Sequence, residues 1–388
     1  MKVAVVAEYY PRARDPVLGV WAHRQAVAAR DAGAEVRVLV LHRPVPSRAA
    51  LASRDPAALL APLRQPGRAT LDGIEVTYVP FVAPPRPRSY GAWGAWAAPT
   101  LTLALRRLRR SFAFDLVHAH YATPAGEAVR RARTGVPTVV SVHGGDVIAT
   151  AAGSAAGLGA VRRAFGAAAL VLANSRGTEA RARELGAGAT RVVHLGTDVP
   201  AEPPRHGAHL VTLAHLVARK RHADVLRAMW LLRDSHPDLR WTVVGAGPER
   251  APLERLAGEL GLANRVDWKG ALAHDEAVAA ARSALAFVLP SVDEAFGVAY
   301  VEAMAGGVPA VGCRGEDGPE EIAALGEGMR LVPPADPEAL AAELRALLED
   351  PAWRRELGAA ARETVAAHFT WEGCGRATVA AYEAALAR

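Results

Sequence analysis

Lysine, cysteine, asparagine and glutamine are nearly absent from these 388 residues, and each shortage excludes something. The two cysteines, Cys313 and Cys374, share no short spacing with each other or with histidine. Neither a disulfide framework nor a zinc site is readable, and a reducing, cytoplasmic compartment is expected. No run approaches the roughly 18 apolar residues of a membrane span. The opening MKVAVVAEYYP holds five apolar residues after Lys2 before Glu8 interrupts, too short for the core of a signal peptide and suited to a first buried strand. Asparagine (Asn174, Asn264) and glutamine (Gln25, Gln65) occur twice each, which fits a hot environment and a GC-rich genome equally. Of 46 basic residues only Lys2, Lys220 and Lys269 are lysines, so a lysine at a strand end stands out against arginine.

What is present is an ordinary globular balance, 51% apolar and 22% charged, in a chain too long for one core, since single cores stop growing near roughly 250 residues. The net charge of +6 favours an anionic partner, whether a nucleotide, a nucleic acid or an acidic membrane face. β-rich runs alternate with alanine-rich helical stretches: VAVVAEY, EVRVLVLH, VTYVP, LVHAH, PTVVSVHG, LVLANS and VVHLG, then, after the Pro-rich VPAEPPRHGA, LVTLAHL, RWTVVG, VDWKG, LAFVLPS, PAVGCR and MRLVPP. Such alternation predicts an α/β fold of two doubly wound, Rossmann-like parallel-sheet domains facing across a cleft. The expected boundaries are 1–198 and 209–388, joined by a semi-rigid linker over 199–208. Ligands of such sheets bind at the carboxyl ends of the strands.

Three strand ends carry chemistry. In LPSVDEAFGVAYVEAMAGG the strand-end loop holds Glu294, the Phe296-Gly297 turn opens a helix at Val298, and Glu302 lies inside that helix. A helix start at a parallel strand's end attracts anions, and Gly297 lets a phosphate come close to the backbone. Two carboxylates flanking a phosphate could accept hydrogen bonds from a sugar on one side and a ribose diol on the other; the plainer alternative is a capping carboxylate plus an exposed helix glutamate. LAHLVARKRH places Arg219 and Lys220 where an anion would be met, or simply makes a solvated basic turn. VVGAGPER offers Gly245 and Gly247, a partial dinucleotide fingerprint whose third glycine is replaced by Arg250.

Taken together these segments resemble the retaining glycosyltransferases of family four (group 1 glycosyl transferases), which have the two-domain GT-B fold, over nearly the whole chain. The most specific element is a pair of glutamates with seven residues between them, matched by Glu294 and Glu302. The resemblance implies that Glu294 contacts the donor sugar, Glu302 holds the ribose, and the amides after Phe296-Gly297, beginning with Val298, hold the diphosphate. It implies that Lys220 neutralises the leaving diphosphate together with an arginine. Here His215 stands at the usual arginine position, and either His215 or Arg219 fills that part. On the N-terminal side it implies a glycine loop at Gly19, a histidine facing the reacting centre among VHAH (His118, His120), and an acceptor side shaped by His143, Gly144 and Asp146. A strand-end histidine is as often a hydrogen-bonded structural residue. Glu316 and Glu320 in CRGEDGPEEI resemble a further donor-pocket loop, and LANSRG and HLGTDV also resemble family segments.

The expected activity is therefore metal-independent transfer, with retention, of a hexose from a UDP- or GDP-sugar, with lipid-linked and cell-envelope glycans as candidate acceptors. No cofactor is expected, because cations and amides serve the diphosphate and no acidic metal-binding cluster adjoins them. Two rivals are a nicotinamide-dependent oxidoreductase using Gly245 and Gly247, disfavoured by Arg250, and a two-lobed sugar-binding protein, disfavoured by the missing export signal. Nucleic-acid binding finds no motif. In WGAWAAPTLTLALRRLRRSF, residues 93–112, Leu101, Leu105, Leu108 and Phe112 form one helical stripe while Arg106, Arg107, Arg109 and Arg110 crowd the other faces. Such a helix either lies peripherally on anionic lipid, on the inner face of a membrane, or packs its stripe on the sheet.

Overall fold

The structure, a computed structural model, describes residues 1–46, 48–53 and 55–388. It contains two units, Met1–His194 together with Trp371–Arg388, and Leu195–Thr370.

The first unit is built on eight strands: β1 (Lys2–Ala7), β2 (Glu35–His42), β3 (Arg68–Leu71), β4 (Ile74–Pro80), β5 (Leu116–His120), β6 (Thr138–Val142), β7 (Leu170–Ala173) and β8 (Thr190–Val192), in the order β3-β4-β2-β1-β5-β6-β7-β8. All neighbours run parallel except β3 with β4. The continuous apolar runs follow from burial on both faces. Val3 and Val5 join one core with Val38 and Val40, while Ala4 and Val6 join the other with Leu39 and Leu41. The antiparallel edge strand β3 was not expected. It is folded back by Asp72 and Gly73, both at positive φ (47° and 79°), the pairing that two-residue hairpins favour.

The helix Trp93–Ser111 shows where the leucine stripe of residues 93–112 lies. Leu101, Leu105 and Phe112 are buried in the core and the helix packs on β4 and β2, so the leucine stripe packs on the sheet and is not available to lipid.

The domain boundaries differ from expectation at both ends of the second unit. Helix Trp371–Leu386 buries Cys374, Ala381, Tyr382 and Ala385 in the first unit's core. Gly375 allows its close crossing with helix Val20–Asp31, since a Cβ there would lie 2.2 Å from the Ala28 carbonyl oxygen. The tie is polar as well: Gln25 Nε2 donates to Thr378 Oγ1 at 3.1 Å, and His118 holds the Tyr382 hydroxyl at 2.8 Å and the Ser141 hydroxyl at 2.7 Å. Residues 199–208 are not a free-standing linker. Arg362 donates to the Pro200 and Ala201 carbonyls, His206 Nε2 lies 2.9 Å from the Gly306 carbonyl, and the Gly207 amide donates to Ser283 O at 2.6 Å. Proline content predicted a stiff segment but not the donors that fasten it to the second unit.

That unit has six parallel strands, β9 (His209–Leu213), β10 (Arg240–Val244), β11 (Val266–Gly270), β12 (Ala286–Val288), β13 (Ala310–Cys313) and β14 (Met329–Val332), ordered β11-β10-β9-β12-β13-β14. All six were read from the sequence. Chain order reverses at β9, which pairs with β10 on one side and β12 on the other. Trp241, Leu210, Val243 and Val288 anchor its core.

Two outcomes test how Tyr382 and His118 serve the first unit. Tyr382→Ala should cost about 3–5 kcal/mol of that unit's stability and Tyr382→Phe about 1–2 kcal/mol, by denaturant unfolding. Burial and the nearby His143 push the His118 imidazolium down to about 3. The unfolded chain binds more protons below pH 6.5, so this stability is complete above 6.5 and falls as pH drops toward 3. Between pH 7 and 5 the wild type should lose about 2 kcal/mol more than His118→Gln.

Candidate functional site

The reversal at β9 puts the loops after β9 and β12 side by side, the place where open α/β sheets bind ligands. The loops are tied by the Val292 amide donating to the Arg219 carbonyl at 2.9 Å. There Lys220 Nζ forms an ion pair with Glu294 Oε2, the Ser291 hydroxyl donates to the same oxygen at 2.8 Å, and Arg219 Nη1 lies 3.9 Å away. The paired side chains are only 11% and 10% exposed. Burial would raise the Glu294 carboxyl, but Lys220, Arg219 and Ser291 hold it below the ordinary carboxylate value. Burial, aided by Arg219, lowers the Lys220 ammonium against the pull of Glu294. Glu316 accepts the Glu294 amide at 2.8 Å, and the Gly318 amide donates to the Glu294 carbonyl at 2.9 Å. The carboxylate is thus fixed at its backbone and at its tip.

The residues around this pair divide into those at the site and those beneath it. Phe296 is buried against Phe369, ring centroids 5.7 Å apart, so its side chain is core and only its backbone reaches the turn. Gly297 has φ +82°, and a Cβ there would meet the Tyr300 ring at 2.4 Å. Both demands require glycine. Val298 opens a helix of only seven residues, Val298–Met304, so charge at the site comes chiefly from Lys220 and Arg219. Glu302 has other neighbours: His274 Nε2 is 3.7 Å from its Oε1 and Arg282 Nε donates to its carbonyl at 3.1 Å. His215 is exposed on the β9 loop. Glu320 accepts the Gly315 amide at 2.8 Å. Gly245 and Gly247 face the chain itself, since Cβ atoms there would lie 1.9 Å from Ala214 O and 2.2 Å from Leu216 O. Their absent side chains make room for the β9 loop, and Arg250 turns away to stack 4.9 Å over Trp268.

The first unit has its own reversal, at β1 and β5. Gly19, at φ +65°, lets its loop close on Tyr9, whose carbonyl carbon would be 2.2 Å from a Cβ. His120 Nδ1 lies 3.0 Å from His143 Nε2 with the rings stacked, and neither His120 Nε2 nor His143 Nδ1 has a partner. Burial lowers His143 to about 3 and His120 well below its usual value. Both imidazoles are neutral. Gly144 sits at φ +92°, and Asp146, fully buried, accepts the Ala122 amide at 3.1 Å and the His143 amide at 3.2 Å. Burial pushes its carboxyl up to about 6 against those bonds. Asp146 therefore clamps the loops after β5 and β6.

Beside them opens a cavity of about 350 Å³ lined by Tyr9, Arg86, Tyr90, Tyr121, Gly145 and Ser154. Glu8, at the end of β1, accepts the Tyr90 hydroxyl at 2.6 Å and pairs with Arg86 at 3.3 Å. The Arg86 guanidinium lies 4.3 Å over the Tyr90 ring and 5.1 Å over Tyr9. This cluster was missed in the sequence. Its signal was Glu8 itself, a carboxylate closing an apolar strand.

Residues 18–200 match the family described as Glycosyltransferase Family 4, and residues 202–364 match Glycosyl transferases group 1. The MMP alpha-(1->4)-mannosyltransferase of Mycolicibacterium hassiacum is 36% identical over 51% of this chain and 49% of its own. The D-inositol 3-phosphate glycosyltransferase 1 of Catenulispora acidiphila is 32% identical over 81% of this chain and 82% of its own. Among solved structures, Anabaena HepE in complex with UDP and glucose superposes with a TM-score of 0.74 at 19% identity, covering 99% of both chains. With both halves of the chain matched and two doubly wound sheets present, the chain belongs to the group 1, family 4 glycosyltransferases of the GT-B fold, which move a sugar from a nucleotide-sugar donor.

Proposed function

We propose that this protein is a retaining, metal-independent hexosyltransferase whose donor diphosphate is met by Lys220 and Arg219. The observation that carries this reading is the buried Lys220–Glu294 pair at the β9/β12 reversal. An ammonium has three donors. One is spent on Glu294, leaving two for diphosphate oxygens, with Arg219, about half exposed, adding a second cation at the rim. Fixed cations of this kind lower the barrier by stabilising the departing diphosphate as charge develops on it. Glu294, held ionised, is placed to accept hydroxyl hydrogen bonds from the donor sugar. Glu302 is read as the ribose contact and Glu316 as the brace of Glu294.

Glu316, the carboxylate bonded to Glu294, is engaged on the Glu294 amide and is not free to act as a nucleophile. Retention then fits a front-face route: the bond from the anomeric carbon to the leaving phosphate oxygen breaks, the acceptor oxygen bonds to the same face, and the leaving oxygen takes the acceptor proton. The tyrosine-lined cavity of the first unit, whose one cation is already paired with Glu8, suits an uncharged, hydroxyl-bearing part of the acceptor. His120, neutral and with Nε2 unpartnered, directly precedes Tyr121 of that cavity's lining. We read the acceptor as lipid-linked, met through peripheral contact with an anionic membrane. Support for that contact is the run of arginines on helix Trp93–Ser111, where no helix in the described residues is long and apolar enough to cross a bilayer.

The donor is identified by screening. UDP-sugars come first, because the fold neighbour holds UDP, and GDP-sugars second. A true donor should raise the thermal midpoint with its concentration, as ligand binding to the folded state requires. If no nucleotide sugar shifts the midpoint, the reading fails.

Lys220→Ala and Glu294→Gln should each lower turnover about 100-fold or more, the scale of losing one preorganised electrostatic contact, with unfolding midpoints checked alongside. Near-normal rates in both folded variants would refute the assignment.

Activity should persist in EDTA because Lys220 and Arg219 supply the positive charge. Complete loss, restored by magnesium or manganese, would show that a metal shares that task.

A further inference from the structure

The helix Trp93–Ser111 has a second face. Trp96, Pro99, Leu103, Arg106 and Arg110 follow one another at spacings of three and four and are all exposed, Trp96 at 52% and Leu103 at 57%. This is the side opposite the buried stripe. Next to it, between the helix and the edge formed by β2, β4 and β3, lies a groove of about 640 Å³, within the range of small-molecule sites. Its floor includes Leu39, Ala104 and Leu108, and its polar lining includes Arg37, Arg68, Arg107 and Glu75.

Charge in the groove does not cancel. Glu75 is held by Arg37 at 3.3 Å, and Arg37 also lies 4.8 Å over the Phe112 ring. Arg68 and Arg107 are exposed and have no carboxylate partner among the described residues. Helix Trp93–Ser111 itself contains no acidic residue. Two uncompensated guanidiniums over an apolar floor are a bidentate-donor site for a phosphate attached to something apolar. A bordering surface of exposed tryptophan, leucine and two further arginines is what a lipid interface takes up.

We propose that this groove binds the headgroup phosphate of an anionic phospholipid, with Arg68 and Arg107 donating to it and Trp96 and Leu103 entering the interface. The proposal rests on the membrane contact read above and adds the residues and the lipid chemistry. It also uses residues outside both glycosyl-transfer sites, so it stands or falls apart from the donor chemistry.

The test is flotation of the full chain with vesicles of phosphatidylcholine alone or containing phosphatidylglycerol, for wild type, Arg68→Gln/Arg107→Gln and Trp96→Ser/Leu103→Ser. A control of equal charge loss is Arg205→Gln/Arg255→Gln, two exposed arginines of the second unit. Wild type should float with anionic vesicles only. The groove variant should partition about 30-fold less and the apolar-face variant at least tenfold less, on the scale of two surface arginines and of lost interfacial area. The control should match wild type, and all variants should keep the wild-type thermal midpoint. Wild type failing to float would overturn the membrane contact and the groove together. A groove variant that floats like wild type would overturn the groove alone, leaving membrane contact by other residues. Saturable binding of inorganic phosphate in calorimetry, lost in the groove variant, with no vesicle binding, would overturn the lipid in favour of a soluble phosphate.

Discussion

A lysine and a glutamate buried side by side are stable only while both stay charged and fully hydrogen-bonded, and the second unit is organised to keep Lys220 and Glu294 so. Removing either partner strands a charge away from water, which costs several kcal/mol. The surrounding bonds remove the freedom to drift apart: Ser291 on the carboxylate, Glu316 and Gly318 on the glutamate's backbone, Val292 on the backbone of Arg219. The strand order matters for the same reason. Chain order reverses at β9, and there the loops after β9 and β12 meet and bond directly.

The first unit solves a similar problem without net charge. Three histidines, His118, His120 and His143, lie in contact and neutral, with His118 satisfied by Tyr382 and Ser141, and His120 joined to His143 through Nδ1 alone. Asp146 is spent on backbone amides, and Glu8 on Arg86 and Tyr90. One reversal thus presents cations and a carboxylate, the other aromatic rings and hydroxyls. That contrast fits a reaction with a charged leaving group on one substrate and an uncharged nucleophile on the other.

Much of this was legible in the chain. Period and composition place thirteen of the fourteen strands, and the scarcity of lysine points at Lys220 before any geometry is known. Glu294 stands out as a carboxylate ending an apolar strand. The same logic applied to Glu8 would have found the tyrosine cluster, but there the carboxylate served only as the end of an apolar run. β3 was hidden because RATL is short, half-polar and on an edge, where burial imposes no pattern, although the Asp72-Gly73 turn after it was in plain sight. Phe296 and Gly245 look like ligand contacts in a motif, yet the first faces Phe369 and the second its own chain. Sequence gives residue type and spacing, while which side of a loop faces outward depends on long-range packing.

The return of residues 371–388 to the first unit makes the second unit an insertion within the first. The inserted unit is continuous in sequence and can close its core once Thr370 has been synthesised. The first unit cannot, because Tyr382, Cys374 and Ala385 arrive only with helix Trp371–Leu386, after the whole second unit. Growth of the chain on the ribosome therefore reverses the usual order in which the N-terminal domain finishes first. His118 stays without its Tyr382 partner until helix Trp371–Leu386 has been made, and β6 and β7 wait for the helix that packs on them, the interval in which a chaperone would find its binding surface.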